Sequence, residues 1–170
     1  MKAAIIPQLN RVPFDTEAYA RGSRENPCFI CRIVSGAHSY RHHILYEDAQ
    51  LIAFFNRWPT LLGYSLVAPK RHAEDWVHEL DDTEFLALQQ VARRVAKAVA
   101  AVVPTERMYS LSLGSQQGNS HVHWHIAPLP PGVPYDQQRF HALMAENGAL
   151  DVDDQTQADL AQAVRDHLQD

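Results

Sequence analysis

The densest chemistry in this chain lies at residues 117–128, Gln-Gly-Asn-Ser-His-Val-His-Trp-His-Ile-Ala-Pro, where His121, His123 and His125 alternate with apolar residues. On an extended strand, positions i, i+2 and i+4 share one face, so the three imidazoles stand in a row about 6–7 Å apart. Val122, Trp124 and Ile126 then face the other way. Three chemistries are open to such a row. It can be a polar strand face in water. It can chelate zinc, leaving a coordination position open. Or the central imidazole can be a nucleophile, with its neighbours orienting it and donating to phosphate oxygens. A neutral imidazole, with an ordinary pKa of about 6.5, is largely available for attack at neutral pH.

The second cluster is Cys28-Phe29-Ile30-Cys31, which holds both cysteines of the chain. A Cys-x-x-Cys tetrad can be a redox pair, two small buried residues, or half of a zinc site that needs two more ligands. In a reducing compartment a structural disulfide is disfavoured. His38, His42 and His43 lie in a polar stretch and read as exposed, and His78, His141 and His167 fall on or near helix surfaces.

Elements must hold these groups in place. A short helix is expected from Cys28 to Val34. Ile44–Glu47 and Leu51–Asn56 read as two strands joined by a tight turn at Asp48, and Ser65–Pro69 as another strand, entered through Gly63. Asp81 to Glu84 offer caps to an amphipathic helix whose stripe is Phe85, Leu88, Val91, Val95 and Val99, ended by Pro104. Met108–Leu113 and His121–Ala127 read as strands, and helices are expected near 137–146 and 153–169. Strands that follow one another in sequence favour an α+β fold, with an antiparallel sheet and helices on one face. The chain divides into an N-terminal arm at 1–27, a main domain at 28–135, the span that holds the clusters above, and a helical tail at 136–170.

The stretch from Gln117 to Pro128 resembles the histidine-triad (HIT) signature, His-x-His-x-His followed by apolar residues. The likeness extends upstream through Leu51–Arg57 and through Gly63-Tyr64-Ser65-Leu66-Val67-Ala68-Pro69-Lys70-Arg71-His72. It implies the HIT-like fold, a five-stranded antiparallel sheet with helices packed on it. It also implies that His123 attacks the α-phosphorus of a nucleotide and forms a nucleotidyl-histidine intermediate, while His125 contacts phosphate oxygens and assists the leaving group. By the same resemblance Gln117 contacts phosphate and Asn56 holds the ribose hydroxyls. Phe29, Ile30, Ile33 and Phe55 fall where the base and ribose are expected. Zinc-containing bacterial members of the family look like this chain, so Cys28, Cys31, His72 and His121 are implied as ligands of a structural Zn2+. A substrate nucleotide, with a purine expected, and a twofold homodimer are implied as partners.

The implied activity is hydrolysis of a nucleoside phosphoanhydride or phosphoramidate. The alternatives are transfer of the nucleotidyl group to phosphate or a sugar phosphate, and a nucleotide-binding partner protein with vestigial catalysis. Three departures from the family bear on specificity. Tyr64 stands where many relatives have a histidine, Gly118 where a hydroxyl residue often follows the glutamine, and Ser112 at a place often held by asparagine.

Bulk properties agree with a single globular domain. The 170 residues are 46% hydrophobic and 21% charged, enough for one core. A net charge of -5 without a basic cluster argues against a general nucleic-acid binder. No apolar run is long enough to span a membrane, and Pro7 breaks the short apolar start, so a cytoplasmic protein is expected.

Overall fold

The computed structural model describes residues 9–37, 42–113 and 119–169. Its elements are β1 (Arg11–Val12), α1 (Thr16–Glu25), α2 (Phe29–Val34), β2 (Ile44–Glu47), β3 (Leu51–Phe55), β4 (Ser65–Pro69), α3 (Asp82–Val102), β5 (Arg107–Leu111), β6 (Trp124–Leu129), α4 (Phe140–Leu143), β7 (Ala149–Leu150) and α5 (Asp154–Gln169). Strands β2 to β6 form the expected antiparallel five-stranded sheet, in the order β2-β3-β4-β6-β5.

Alternation along the strands sorts the side chains onto two faces. On β3 and β4, Leu51, Ala53, Phe55 and Val67 join Ile126 of β6 and the stripe Leu88, Val91, Val95 and Val99 of α3 in the main core. Asp81 caps α3 reciprocally with Glu84, a box that stabilises a helix start by about 1 kcal/mol. Ile52, Phe54, Leu66 and Ala68 point to the opposite face, where Ile30 of α2 covers them. The expectation of helices on one face therefore needs correction. Helices α3 and α5 cover one face and α2 the other, because β3 and β4 are apolar on both sides and cannot leave either in water.

Three further departures have local causes. The segment expected to be a helix over 137–146 is broken into α4 and flanking 3-10 turns, because Arg139 adopts φ 58 and Gly148 φ 86. A Cβ at Gly148 would lie 2.6 Å from the Val12 carbonyl oxygen, so this glycine lets β1 approach β7. Within the first 27 residues a capped helix, α1, forms behind Asp15, and its Tyr19 packs with Phe14 and Trp58. Finally, the strand expected at His121–Ala127 begins only at Trp124. The Val122 amide donates to the Ala73 carbonyl at 2.7 Å instead of extending the ladder, and His121 turns inward.

Candidate active site and metal cluster

Helix α2 begins at its cap, Cys28, and the Cys31 amide donates to Cys28 Sγ at 3.5 Å. A first helical turn thus presents both sulfurs on one side. His72 follows the end of β4, and His121 precedes β6, which pairs with β4. The four ligand atoms of Cys28, Cys31, His72 and His121 lie within 4.8 Å of one another. Cys28 Sγ is 3.4 Å and Cys31 Sγ 3.6 Å from His121 Nδ1, and Cys31 Sγ is 3.3 Å from His72 Nδ1. A tetrahedral zinc with bonds of about 2.0–2.3 Å needs ligand atoms roughly 3.3–3.8 Å apart, and this set already approaches that.

The outer contacts fix which nitrogen each imidazole offers. His121 Nε2–H donates to the Pro69 carbonyl at 2.9 Å, and His72 Nε2–H to Glu74 Oε1 at 3.2 Å. Both rings therefore aim an Nδ1 lone pair at the sulfurs. Ser120 donates to the same Glu74 oxygen at 2.7 Å and ties the carboxylate to the histidine segment. Burial pushes His121 down to about 4, which keeps it in the neutral form that binds metal. Burial and the neighbouring Cys28 push the Cys31 thiol up to about 11, a cost that a divalent cation between the sulfurs reverses. The donor set fits a structural Zn2+ with all four positions filled by protein.

His123 and His125 lie just beyond. Their ring centroids are 4.6 Å apart, and His125 sits opposite Leu66 of β4, on the face that α2 covers. His123 Nδ1–H donates to the carbonyl of His121 at 2.6 Å, which leaves the lone pair on Nε2. Ser112, next to the end of β5, donates to the His123 carbonyl at 2.9 Å and holds the strand beneath the ring. Burial lowers the pKa of His123 and pushes that of His125 down to about 3, with His123 adding repulsion. Both rings are neutral at pH 7.

Of the other expected residues, Ile30 and Phe29 lie on this same face, Phe29 edge-on to Phe54 at 6.2 Å. Asn56 follows β3, and its Oδ1 accepts from the Trp58 amide at 3.0 Å. Phe55 instead sits in the main core on the other face, as alternation from Phe54 requires. Gln117 and His38 lie outside the described residues. His43, expected to be exposed, is buried, and its Nε2 bonds Asp154 Oδ1 at 2.9 Å where α5 begins. Tyr64, which stands where many relatives have a histidine, has its Oη 3.1 Å from His125 Nδ1.

A half-buried imidazole pair beside a four-ligand cluster, carried on a five-stranded antiparallel sheet with helices on both faces, defines a small α+β protein of the HIT-like fold. A family model described as the HIT domain matches residues 38–131. The chain is 34% identical over 131 residues to an adenosine 5'-monophosphoramidase of Schizosaccharomyces pombe, covering 70% of this chain and 94% of that one. It is 32% identical over 109 residues to a HIT-like protein of Mycobacterium tuberculosis, covering 60% and 71%. In structure it resembles a Zn-bound histidine triad family protein of Mycobacterium smegmatis, with a TM-score of 0.66 and 23% identity over 87% of this chain and 96% of that one. A hypothetical histidine triad nucleotide-binding protein of Sulfolobus tokodaii gives 0.67 and 24% over 84% and 92%. The chain belongs to the HIT family. Among the described residues no helix is long and apolar enough to cross a membrane.

Proposed function

We propose that this chain is a nucleotide hydrolase that cleaves a nucleoside phosphoanhydride or phosphoramidate through a nucleotidyl-histidine intermediate on His123. The observation that carries the reading is the 2.6 Å bond from His123 Nδ1–H to the His121 carbonyl. It commits the ring to one tautomer, with Nε2 unprotonated and beside His125. The similarity to an adenosine 5'-monophosphoramidase supports the same class of substrate.

In the first step Nε2 of His123 attacks the α-phosphorus, forming a P–N bond as the bond to the leaving group breaks. The leaving group departs with its electron pair and takes a proton from solvent. The positive charge that develops on the His123 ring is shared through Nδ1–H with the His121 carbonyl. His125 donates its single N–H toward the leaving atom, and Gln117 adds a donor to the phosphoryl oxygens. In the second step water attacks phosphorus, loses a proton to solvent, and releases the nucleoside monophosphate and His123. Asn56 holds the ribose, and Phe29 and Ile30 line the base side, with Phe55 supporting them from behind β3. Zn2+ held by Cys28, Cys31, His72 and His121 supplies structure, because four protein ligands leave no position open for water.

The test is turnover of adenosine phosphoramidate, dinucleoside polyphosphates and nucleotide sugars, paired with acid-quench trapping of labelled nucleotide on the protein. Hydrolysis of at least one class with label on wild type and none on His123→Ala is the expected result. No turnover of any class, or a fully active His123→Ala protein, overturns the reading.

A further inference from the structure

The hydroxyl of Tyr64 is aimed at the one ring atom of His125 that the substrate does not need. Tyr64 follows Gly63, which adopts φ 82 at the entrance to β4. A Cβ at Gly63 would come within 3.1 Å of Val103 and 3.2 Å of Val99, so the turn is pressed against the end of α3. The Tyr64 amide donates to the Leu61 carbonyl at 3.1 Å, and its own carbonyl accepts from Asn56 at 2.8 Å. The ring is buried among Leu61 and Ala127, and it lies 5.7 Å from the His125 ring, tilted by 31°. Backbone, turn and packing all fix where the Oη points.

A phenol carries one hydrogen and can also accept. Among the described residues the Tyr64 hydroxyl has one recorded partner, His125 Nδ1 at 3.1 Å. If Nδ1 carried the proton and donated, the buried O–H of Tyr64 would be left without an acceptor, a costly arrangement. If Tyr64 donates, both groups are satisfied and the ring proton of His125 must sit on Nε2. Burial pushes the phenol up to about 12, so Tyr64 keeps its proton throughout the neutral range.

We infer that Tyr64 is a positioning residue that donates its O–H to His125 Nδ1 and thereby holds His125 as an Nε2–H donor toward the leaving group of the substrate. His125 is neutral, so its value to the reaction depends on which nitrogen bears the single proton. In the opposite tautomer it would present a lone pair to an electron-rich leaving atom and repel it. The same segment thus carries two imidazoles with opposite tautomers. His123 has its proton on Nδ1 and a free Nε2 to attack; His125 has its proton on Nε2 to donate. The inference rests on the proposed hydrolase reading for the leaving-group part, and on the hydrogen-bond geometry alone for the tautomer.

Two measurements on Tyr64→Phe test it, since phenylalanine keeps the ring packing and removes only the donor. The first compares leaving groups. Turnover of adenosine phosphoramidate, with a basic leaving group, is expected to fall about 10- to 100-fold in kcat with KM within about twofold. Turnover of the p-nitrophenyl ester of AMP, whose leaving group needs no donor, is expected to change less than about threefold. Equal losses on both substrates, or no loss on either, would overturn the role. The second is 15N NMR of the His125 ring in zinc-loaded protein. Nε2–H in wild type with a shift toward Nδ1–H in the variant supports the inference; the same tautomer in both sinks it. Absence of wild-type turnover would defeat the hydrolase reading, and the NMR comparison would still decide what Tyr64 does.

Discussion

The metal cluster and the His123–His125 pair meet in one short run of chain, at His121, and are built in opposite ways. The cluster collects its ligands from three places, the start of α2, the end of β4 and the segment before β6. Every ring there turns Nδ1 inward and its Nε2–H outward to an oxygen of the protein. At His123 the orientation is reversed. Nδ1 is tied to the backbone, and Nε2 is left for something that is not protein. The backbone makes the difference. His121 precedes the ladder and is pulled inward, with Val122 bonded to Ala73, whereas His125 is in register with Leu66 and must stand on the sheet face. Closure suits a group that braces the fold, and an open nitrogen suits a group that reacts.

The largest expected effect separates the two regions outright. His123→Ala should reduce turnover by about 10⁴-fold or more, as loss of a nucleophile does, with zinc content unchanged at about one per chain. Cys28→Ser should do the reverse. Metal per chain should fall below about half and the melting temperature by about 10 °C or more, because structural zinc binding is folding free energy. Activity per folded molecule should fall far less. If the two variants lose metal and turnover in parallel, the division between the regions is wrong.

A smaller effect tests the outer contacts of the cluster. Glu74 accepts from both His72 and Ser120, so Glu74→Ala frees a ligand ring and loosens the segment leading to His121. Competition with a chelator should show zinc affinity lower by about 10- to 100-fold. An unchanged affinity would mean that His72 is held by the metal alone.

How far these arrangements are legible in the sequence depends on the range of the interaction that decides them. Strands β2 and β4 could be read to the residue, since Asp48 and Pro69 stop them locally and their apolar runs are short. Helix α3 was legible from its stripe and its cap. The start of β6 was not, because alternation at 121–127 looks the same whether His121 stays in the ladder or is drawn toward cysteines about ninety residues earlier. Nor was the place of His43, whose partner Asp154 is more than a hundred residues away. The break in the 137–146 helix depends on positive φ values at Arg139 and Gly148, which the first of those residue types does not announce. Tyr64 carried a visible signal, an unusual residue at the entrance to a strand, but its partner lies across the β4–β6 pair.

The smallest expected effect concerns acid, and it distinguishes the pair from the cluster by proton linkage. Burial holds His125 at about 3 in the folded chain, against about 6.5 when unfolded. The folded value is the lower one, so between about pH 6.5 and 3 the unfolded chain takes up a proton that the folded chain refuses. Stability from this group is intact above about pH 6.5 and is lost as the pH falls through that window. His125→Gln removes the term and leaves the cluster in place. Measured by denaturant unfolding, the variant should therefore gain on wild type by about 1 kcal/mol on going from pH 7 to pH 5, after allowing for partial solvent screening. Zinc release in acid acts on both proteins and cancels in the difference. A gap between the two that stays constant with pH would mean that acid acts on the fold through the metal ligands alone, and that the neutrality of His125 is not a product of its burial.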